Sequence, residues 1–236
     1  MTSHEPVLLI SGAGLPAWIW DETRELLAPR ETAVAPRPAA RTARLGDYVD
    51  AALEAAPWDR FAVVAHSSGG VVGTELARRA AGRVTALLAV TAVVPRPGAS
   101  FLSSMPFPQR HVLSLAMRVA GTRPPDGAIR RGVASGLDEP TADRVVGAFV
   151  PESVDLYRGR VGRTDLRLPV GYATTTRDRE LTPALQRRFA TNLGTSWQQT
   201  LDTGHLPMLE DPPAFVRTVA GFLDQRGADV SSAGAA

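Results

Sequence analysis

The sequence predicts an α/β fold: a doubly wound, mostly parallel sheet of about six strands carrying a helical cap insertion. Three observations point there. Short apolar runs alternate with amphipathic helical stretches along most of the chain. The runs are largely free of charge, as strands are when helices cover both faces of a parallel sheet. One long stretch, residues 95–168, holds helical periodicities but no strand.

The strand-like runs are residues 7–10, 33–35, 61–65, 86–94, 170–175 and 198–201. Between the first two, Ile19, Leu26 and Leu27 share a helical face. Tyr48, Ala52 and Ala55 follow, then Val71, Val72, Leu76 and Ala80, and finally Phe215, Val219 and Phe222. Residues 1–94 and 169–227 are therefore assigned to the α/β core. Residues 95–168 are assigned to a cap, with short helices expected at 111–120, 141–150 and 151–160. A polar tail at 228–236, rich in small residues, is expected to be disordered.

Composition narrows the function. The chain has 236 residues, 44% hydrophobic and 21% charged, ample for a core without covalent staples. All 26 cationic side chains are Arg, the formal charge is only +2, and no Cys is present. With no Lys or Cys and only three Tyr, little titrates between neutrality and the Arg range. The sequence pI of about 9.6 thus reflects a small surplus rather than a basic patch, and no nucleic-acid partner is expected. The absence of Cys excludes disulfides, a thiol nucleophile and thiolate metal sites. Residues 1–5 lack a basic leader, and the apolar run from Val84 to Val94 is too short for a bilayer, so a cytoplasmic protein without membrane attachment is expected.

Chemistry concentrates at Ala65-His66-Ser67-Ser68-Gly69-Gly70, where a strand passes directly into a helix. A serine on such a tight turn is lifted clear of the sheet, provided that its neighbours two before and two after are small, as Ala65 and Gly69 are. The turn also aims the Ser68 N–H at the place where an oxyanion would form. His205 lies in a loop after the last strand and before the last helix, within reach of such a serine. His4, His111 and His66 are less well placed, and His66 is expected to point away from the nucleophile. Asp178 follows the fifth strand closely and is the favoured orienting acid, with Glu180 as rival. The loop after the first strand, with Gly12 and Gly14, offers the Ala13 N–H as a second oxyanion donor. Its glycines match no phosphate-cradling pattern, and no His/carboxylate cluster has metal spacing, so neither cofactor nor metal is expected. Trp18, Trp20, Met105, Phe107 and Met208 are candidate pocket walls.

Over nearly its whole length the sequence resembles the α/β-hydrolase superfamily, in particular the small serine esterase branch of plant methyl esterases, hydroxynitrile lyases and many bacterial esterases. The stretch from Ser11-Gly12-Ala13-Gly14 to Trp18-Ile19-Trp20 is similar to the branch's His-Gly-x4-(Ala/Gly)-Trp-x-Trp opening. Ala65-His66-Ser67-Ser68-Gly69-Gly70 resembles its Gly-His-Ser-x-Gly-Gly elbow. Asp178 before Pro183, and Gly204-His205 followed by Met208 and Pro212, resemble its acid and base segments; Pro151-Glu152-Ser153 resembles a tripeptide frequent in its caps. Departures are informative. Ser11 stands where the branch carries His, which implies that different hydrogen bonds hold the oxyanion loop. The chain starts at what would be the family's third strand, and residues 36–44 lack the usual Asp-x-x-Gly-x-Gly loop. The resemblance implies Ser rather than Asp as nucleophile, which sets aside dehalogenase and epoxide hydrolase chemistry. With no Lys, and with Gly12 where the lyases carry Thr, cyanohydrin chemistry is set aside too.

The expected function is a serine hydrolase acting on a small to medium apolar ester, thioester or lactone through Ser67, His205 and Asp178. Two alternatives stay open: a tailoring enzyme of a small-molecule pathway catalysing C–C cleavage, cyclisation or another non-hydrolytic step, and a non-catalytic ligand-binding protein. In each case the expected partner is a small molecule.

Overall fold

The computed structural model describes residues 4–163 and 166–233. Six parallel strands, β1 (Val7–Ile10), β2 (Thr32–Val34), β3 (Phe61–His66), β4 (Val84–Val90), β5 (Val170–Thr175) and β6 (Trp197–Leu201), pair in the order β2-β1-β3-β4-β5-β6. From β1 the chain winds outward to β2, then returns to the other side of β1 to begin β3. The direction in which the chain winds across the sheet therefore reverses between β1 and β3. The crevice beyond their C-terminal ends is the switch point at which such sheets place ligands.

Side chains alternate between the two faces, except where a register shift at Phe61/Ala62 against Val84 and Ala86 interrupts the start of β4. Leu8, Ile10, Phe61, Val63, Ala65, Leu87 and Ala89 join a core built with α2 (Leu45–Glu54), α3 (Gly69–Arg79) and α9 (Pro183–Leu193). Val7, Leu9, Ala62, Val64, Leu88 and Val90 join a second core with α1 (Asp21–Leu27), α10 (Pro207–Glu210) and α11 (Pro212–Ala233). Burial on both faces explains why these strands read as continuous apolar runs. Helix α11 runs through residues 228–233, part of the stretch assigned to a tail; residues 234–236 lie outside the described residues.

The apolar run expected to be strand through residue 94 leaves the sheet after Val90. Thr91 adopts φ +35°. The amides that follow turn away from the ladder: Ala92 N–H donates to the Tyr172 hydroxyl (2.9 Å) and Val93 N–H to the Ser67 carbonyl (2.9 Å). Apolarity cannot distinguish a strand from a buried irregular segment whose amides find other acceptors.

Between β4 and β5 lie α4 (Phe101–Ser104), α5 (Gln109–Ala120), α6 (Asp126–Arg131), α7 (Glu139–Ala148) and α8 (Val154–Arg158). Helices α4 and α6 have no counterpart in the sequence reading, being too short to show a period. Helix α7 starts where the Asp138 side chain accepts the Thr141 N–H at 2.9 Å, and α8 starts where Ser153 Oγ accepts the Asp155 N–H at 3.2 Å. Helix α5 contains no buried residue. Leu113, Ala116 and Met117 face a cavity beneath it, while Val112, Leu115 and Val119 are 62–78% exposed on its far side. Among the described residues no helix is long and apolar enough to cross a membrane.

Phe215 on α11 is fully buried against Trp20, ring centroids 6.0 Å apart. Replacing it by Ala is expected to lower unfolding free energy by about 3–5 kcal/mol, read from urea denaturation followed by far-UV circular dichroism.

Candidate active site

The strand-to-helix turn after β3 places Ser67 at φ +54°, left-handed backbone that is unfavourable for a residue with a side chain. The turn is pinned from both sides. Ser67 N–H donates to the Val90 carbonyl (3.3 Å), and the Ser67 carbonyl accepts from Gly70 (3.0 Å) and Val93 (2.9 Å). Glycine is required two residues on, because a Cβ on Gly69 would stand 2.7 Å from the Ser11 carbonyl oxygen and 2.8 Å from that of Ile10. The resulting hydroxyl stands clear of the sheet at the N-terminus of α3.

Three chain-distant side chains meet there. His205 Nε2 lies 3.0 Å from Ser67 Oγ, and His205 Nδ1 lies 2.8 Å from Asp178 Oδ2. The hydrogen-bond network fixes the tautomer: Nδ1–H donates to the carboxylate, leaving the Nε2 lone pair to accept the serine proton. Asp178 is buried and acceptor-rich. Its Oδ1 takes the backbone N–H groups of Glu180 (2.7 Å) and Leu181 (3.0 Å), and its Oδ2 also takes the hydroxyls of Thr91 and, at 3.3 Å, Thr175. Burial pushes the carboxyl pKa up, but His205 and these donors outweigh it and hold the group at about 2. For His205, burial works against the charged form, yet the attraction of Asp178 and its hydrogen bond, with Glu180 nearby, raise the pKa above the ordinary 6.5. Glu180, the rival acid, makes no hydrogen bond to the imidazole and instead lines the adjoining cavity.

His66 is buried beneath this relay. Its Nε2–H donates to the His205 carbonyl at 2.8 Å, and the two rings lie 4.8 Å apart. Its Nδ1 has no partner. Burial, then the neighbouring His205, drive its pKa down to about 3, so it stays neutral and anchors the backbone of His205. It makes no hydrogen bond to the Ser67 hydroxyl and packs against the His205 ring.

The two amides expected as oxyanion donors flank Ser67 unequally. Ser68 N–H carries no hydrogen bond to a described residue, whereas Ala13 N–H donates to Ser68 Oγ at 2.7 Å. Ser11, in place of the histidine of the resembling branch, accepts the indole N–H of Trp20 at 2.8 Å. Gly14 adopts φ +74° and packs so closely on the Phe149 ring that a Cβ would come within 2.1 Å of it. Its N–H donates to Glu152 Oε1 (3.1 Å), which also receives the Arg37 guanidinium, while Glu152 Oε2 receives the Tyr48 hydroxyl (2.6 Å). Arg37, Tyr48 and Glu152 thus wall the side on which the short 36–44 segment left no loop. Burial and the adjacent carboxylate push the Tyr48 pKa upward, keeping its proton for donation.

Ser67, Ser68, Ala13 and His205 open into a cavity of about 310 Å³ beneath α5, walled by Val93, Met105, Leu113, Met117, Phe149 and Leu181. Of the residues expected as pocket walls, only Met105 is among its lining. Trp20 and Met208 are fully buried in the core beneath α1 and α11. Trp18 packs below the Arg144 guanidinium, 3.7 Å from its ring centroid. Phe107 is 74% exposed at the outer base of α5. Thr91, Thr175, His66, Arg37, Tyr48 and Glu152 were not singled out for the site by the sequence; of these, His66 stands in the elbow motif and Glu152 in the cap tripeptide. Among the described residues no cluster of three His or carboxylate side chains could hold a metal ion.

No protein of curated function matches this sequence. Among solved structures, an extracellular alpha/beta-hydrolase from a Paenibacillus species, described as sharing structural and functional homology with tobacco salicylic acid binding protein 2, superposes with TM-score 0.80 at 15% identity, over 92% of this chain and 98% of that one. A pyrethroid hydrolase from Sphingobium faniae JZ-2 gives 0.74 at 19%, over 93% and 97%. A methylesterase from Arabidopsis gives 0.73 at 14%, over 93% and 99%. Residues 7–218 match the profile described as the alpha/beta hydrolase family, and with the whole sheet and Ser67, Asp178 and His205 inside that match, the chain belongs to this family.

Proposed function

We propose that the protein is a serine hydrolase that cleaves small to medium apolar carboxylic esters, thioesters or lactones through an acyl-enzyme on Ser67. The observation that carries this reading is the continuous line Ser67 Oγ–His205–Asp178, with separations of 3.0 and 2.8 Å, opening into an apolar cavity. The cavity volume of about 310 Å³ suits a small ligand.

In the first half-reaction His205 takes the Ser67 proton as Oγ bonds to the carbonyl carbon, and the imidazolium is held by Asp178. The tetrahedral oxyanion takes the Ser68 N–H, and the Ala13 N–H once Ser68 Oγ turns aside about its one rotatable bond. His205 then gives its proton to the departing alcohol, thiol or ring oxygen. In the second half, His205 removes a proton from water, whose oxygen attacks the acyl carbon, and returns the proton to Ser67 as the acid leaves.

Two outcomes test this. With p-nitrophenyl acetate and butyrate the wild-type protein turns over, and a fluorophosphonate probe labels Ser67, located by peptide mass spectrometry. Ser67→Ala loses the label and about a millionfold in kcat. A wild-type chain that neither turns over these esters nor takes the label defeats the reading.

The pH profile has a fixed sign. The base is neutral His205, whose pKa is raised, so activity is lost as pH falls through that raised value. The acid limb of kcat/KM is therefore expected to have an apparent pKa above 6.5. Asp178→Asn removes the attraction, shifts that limb to lower pH and lowers kcat by about ten-thousandfold.

A further inference from the structure

Residues 149–152, which lead from α7 into α8, grip the loop after β1 at consecutive backbone groups. Gly14 N–H donates to Glu152 Oε1 (3.1 Å), and the Gly14 carbonyl accepts from Val150 N–H (3.1 Å). The next carbonyl, Leu15, accepts from Arg37 Nη2 (2.8 Å), and Arg37 itself binds Glu152. The far side of the carboxylate is closed by Tyr48, whose oxygen in turn takes the Ser153 N–H at 3.4 Å, and Thr122 Oγ1 donates to the Glu152 carbonyl at 2.5 Å. The Glu152 side chain is only 4% exposed.

Donors from three elements thus converge on two oxygens: a loop amide, a guanidinium and a phenol. Only an acceptor-only group with two oxygens satisfies them together, which is why a carboxylate occupies this point. The Gly14 N–H lies in the peptide unit directly after Ala13. Holding that plane anchors Ala13 on its C-terminal side, while on its N-terminal side the Ala13 N–H is held by Ser68 Oγ at 2.7 Å.

We propose that Glu152 is a positioning residue for the hydrolysis: through Gly14 it holds the Ala13 amide where the oxyanion forms, so that the cap and the oxyanion loop are one preorganised unit. The inference rests on the hydrolase reading above. Glu152 touches no reacting atom. Its contribution is to the transition state rather than to substrate binding, because the ground-state carbonyl gains little from that amide.

The experiment compares wild type, Glu152→Ala, Glu152→Gln and Tyr48→Phe. Steady-state hydrolysis of p-nitrophenyl butyrate, inhibition by butylboronic acid and hydrogen exchange of the peptide spanning residues 11–17 are read for each, with melting temperature as the folding control. Glu152→Ala is expected to lower kcat about 10- to 100-fold with KM within about twofold. Affinity for the boronate, which places an oxygen in the oxyanion site, falls in parallel, and exchange at the Gly14 amide speeds up. Glu152→Gln, which keeps one acceptor oxygen, recovers most of the loss, and Tyr48→Phe, which keeps the carboxylate and its grip on Gly14, shows a smaller loss of the same kind. If Glu152→Ala does not fold, the Gln and Phe variants carry the comparison. Unchanged kcat, boronate affinity and Gly14 exchange in the folded variants overturn the proposal, as does a loss confined to KM. A wild type that fails to hydrolyse any ester sinks the hydrolase reading instead, and the exchange measurement still decides whether Glu152 holds the loop.

Discussion

A serine held at φ +54° is uphill by about 1–3 kcal/mol, so the rest of the molecule must impose that conformation rather than merely permit it. The sheet supplies the force. β3 and β4 run in register to His66 and Val90, and the irregular segment after β4 turns its amides back onto the Ser67 carbonyl. α3 presses against β1 so closely that only glycine fits at residue 69. The hydroxyl direction, and with it the reach to His205, follows from this packing. Loosening the turn by a fraction of an ångström would relax the strain and misdirect the Ser67 hydroxyl together.

The electrostatics beneath the turn are organised around keeping one imidazole basic and the other inert. His66 and His205 stand 4.8 Å apart, both buried, and two positive charges at that separation would repel strongly. Asp178 faces His205, so the proton goes there, and His66 remains neutral with one ring nitrogen unpaired. The arginines, abundant elsewhere, leave Asp178 to His205, two threonine hydroxyls, the Gln186 amide at 3.5 Å and backbone amides. The carboxylate is stabilised by dipoles that cannot leave, and its charge is free to act on the imidazolium.

How much of this could be read before the fold was known depended on whether a residue acts through local spacing or through distant packing. The sheet was legible because strands buried on both faces become uninterrupted apolar runs, and β1 and β5 were located to the residue. Ser67, Asp178 and His205 were legible because each sits at a strand end in a local pattern. Thr91 was not: nothing near it in sequence shows that a threonine in an apolar run would leave the sheet to meet a carboxylate 87 positions away. Of the five candidate pocket walls only Met105 lines the cavity, and the others lie elsewhere for the same reason. Trp20 and Met208 lie close in sequence to loop residues of the site, yet their side chains point into the core between α1 and α11. Proximity along the chain says little about which side of a helix a side chain takes.

The roof over the cavity is a single helix that buries none of its own residues, while the floor is a doubly covered sheet. Local opening free energies follow the apolar contact that is broken, so α5 can lift at a small fraction of what unfolding the sheet requires. Access to the Ser67 hydroxyl is thereby uncoupled from global stability. Mutational drift in that helix can widen or narrow the range of admitted molecules without eroding the scaffold, and hardening the scaffold against heat need not slow exchange through the roof.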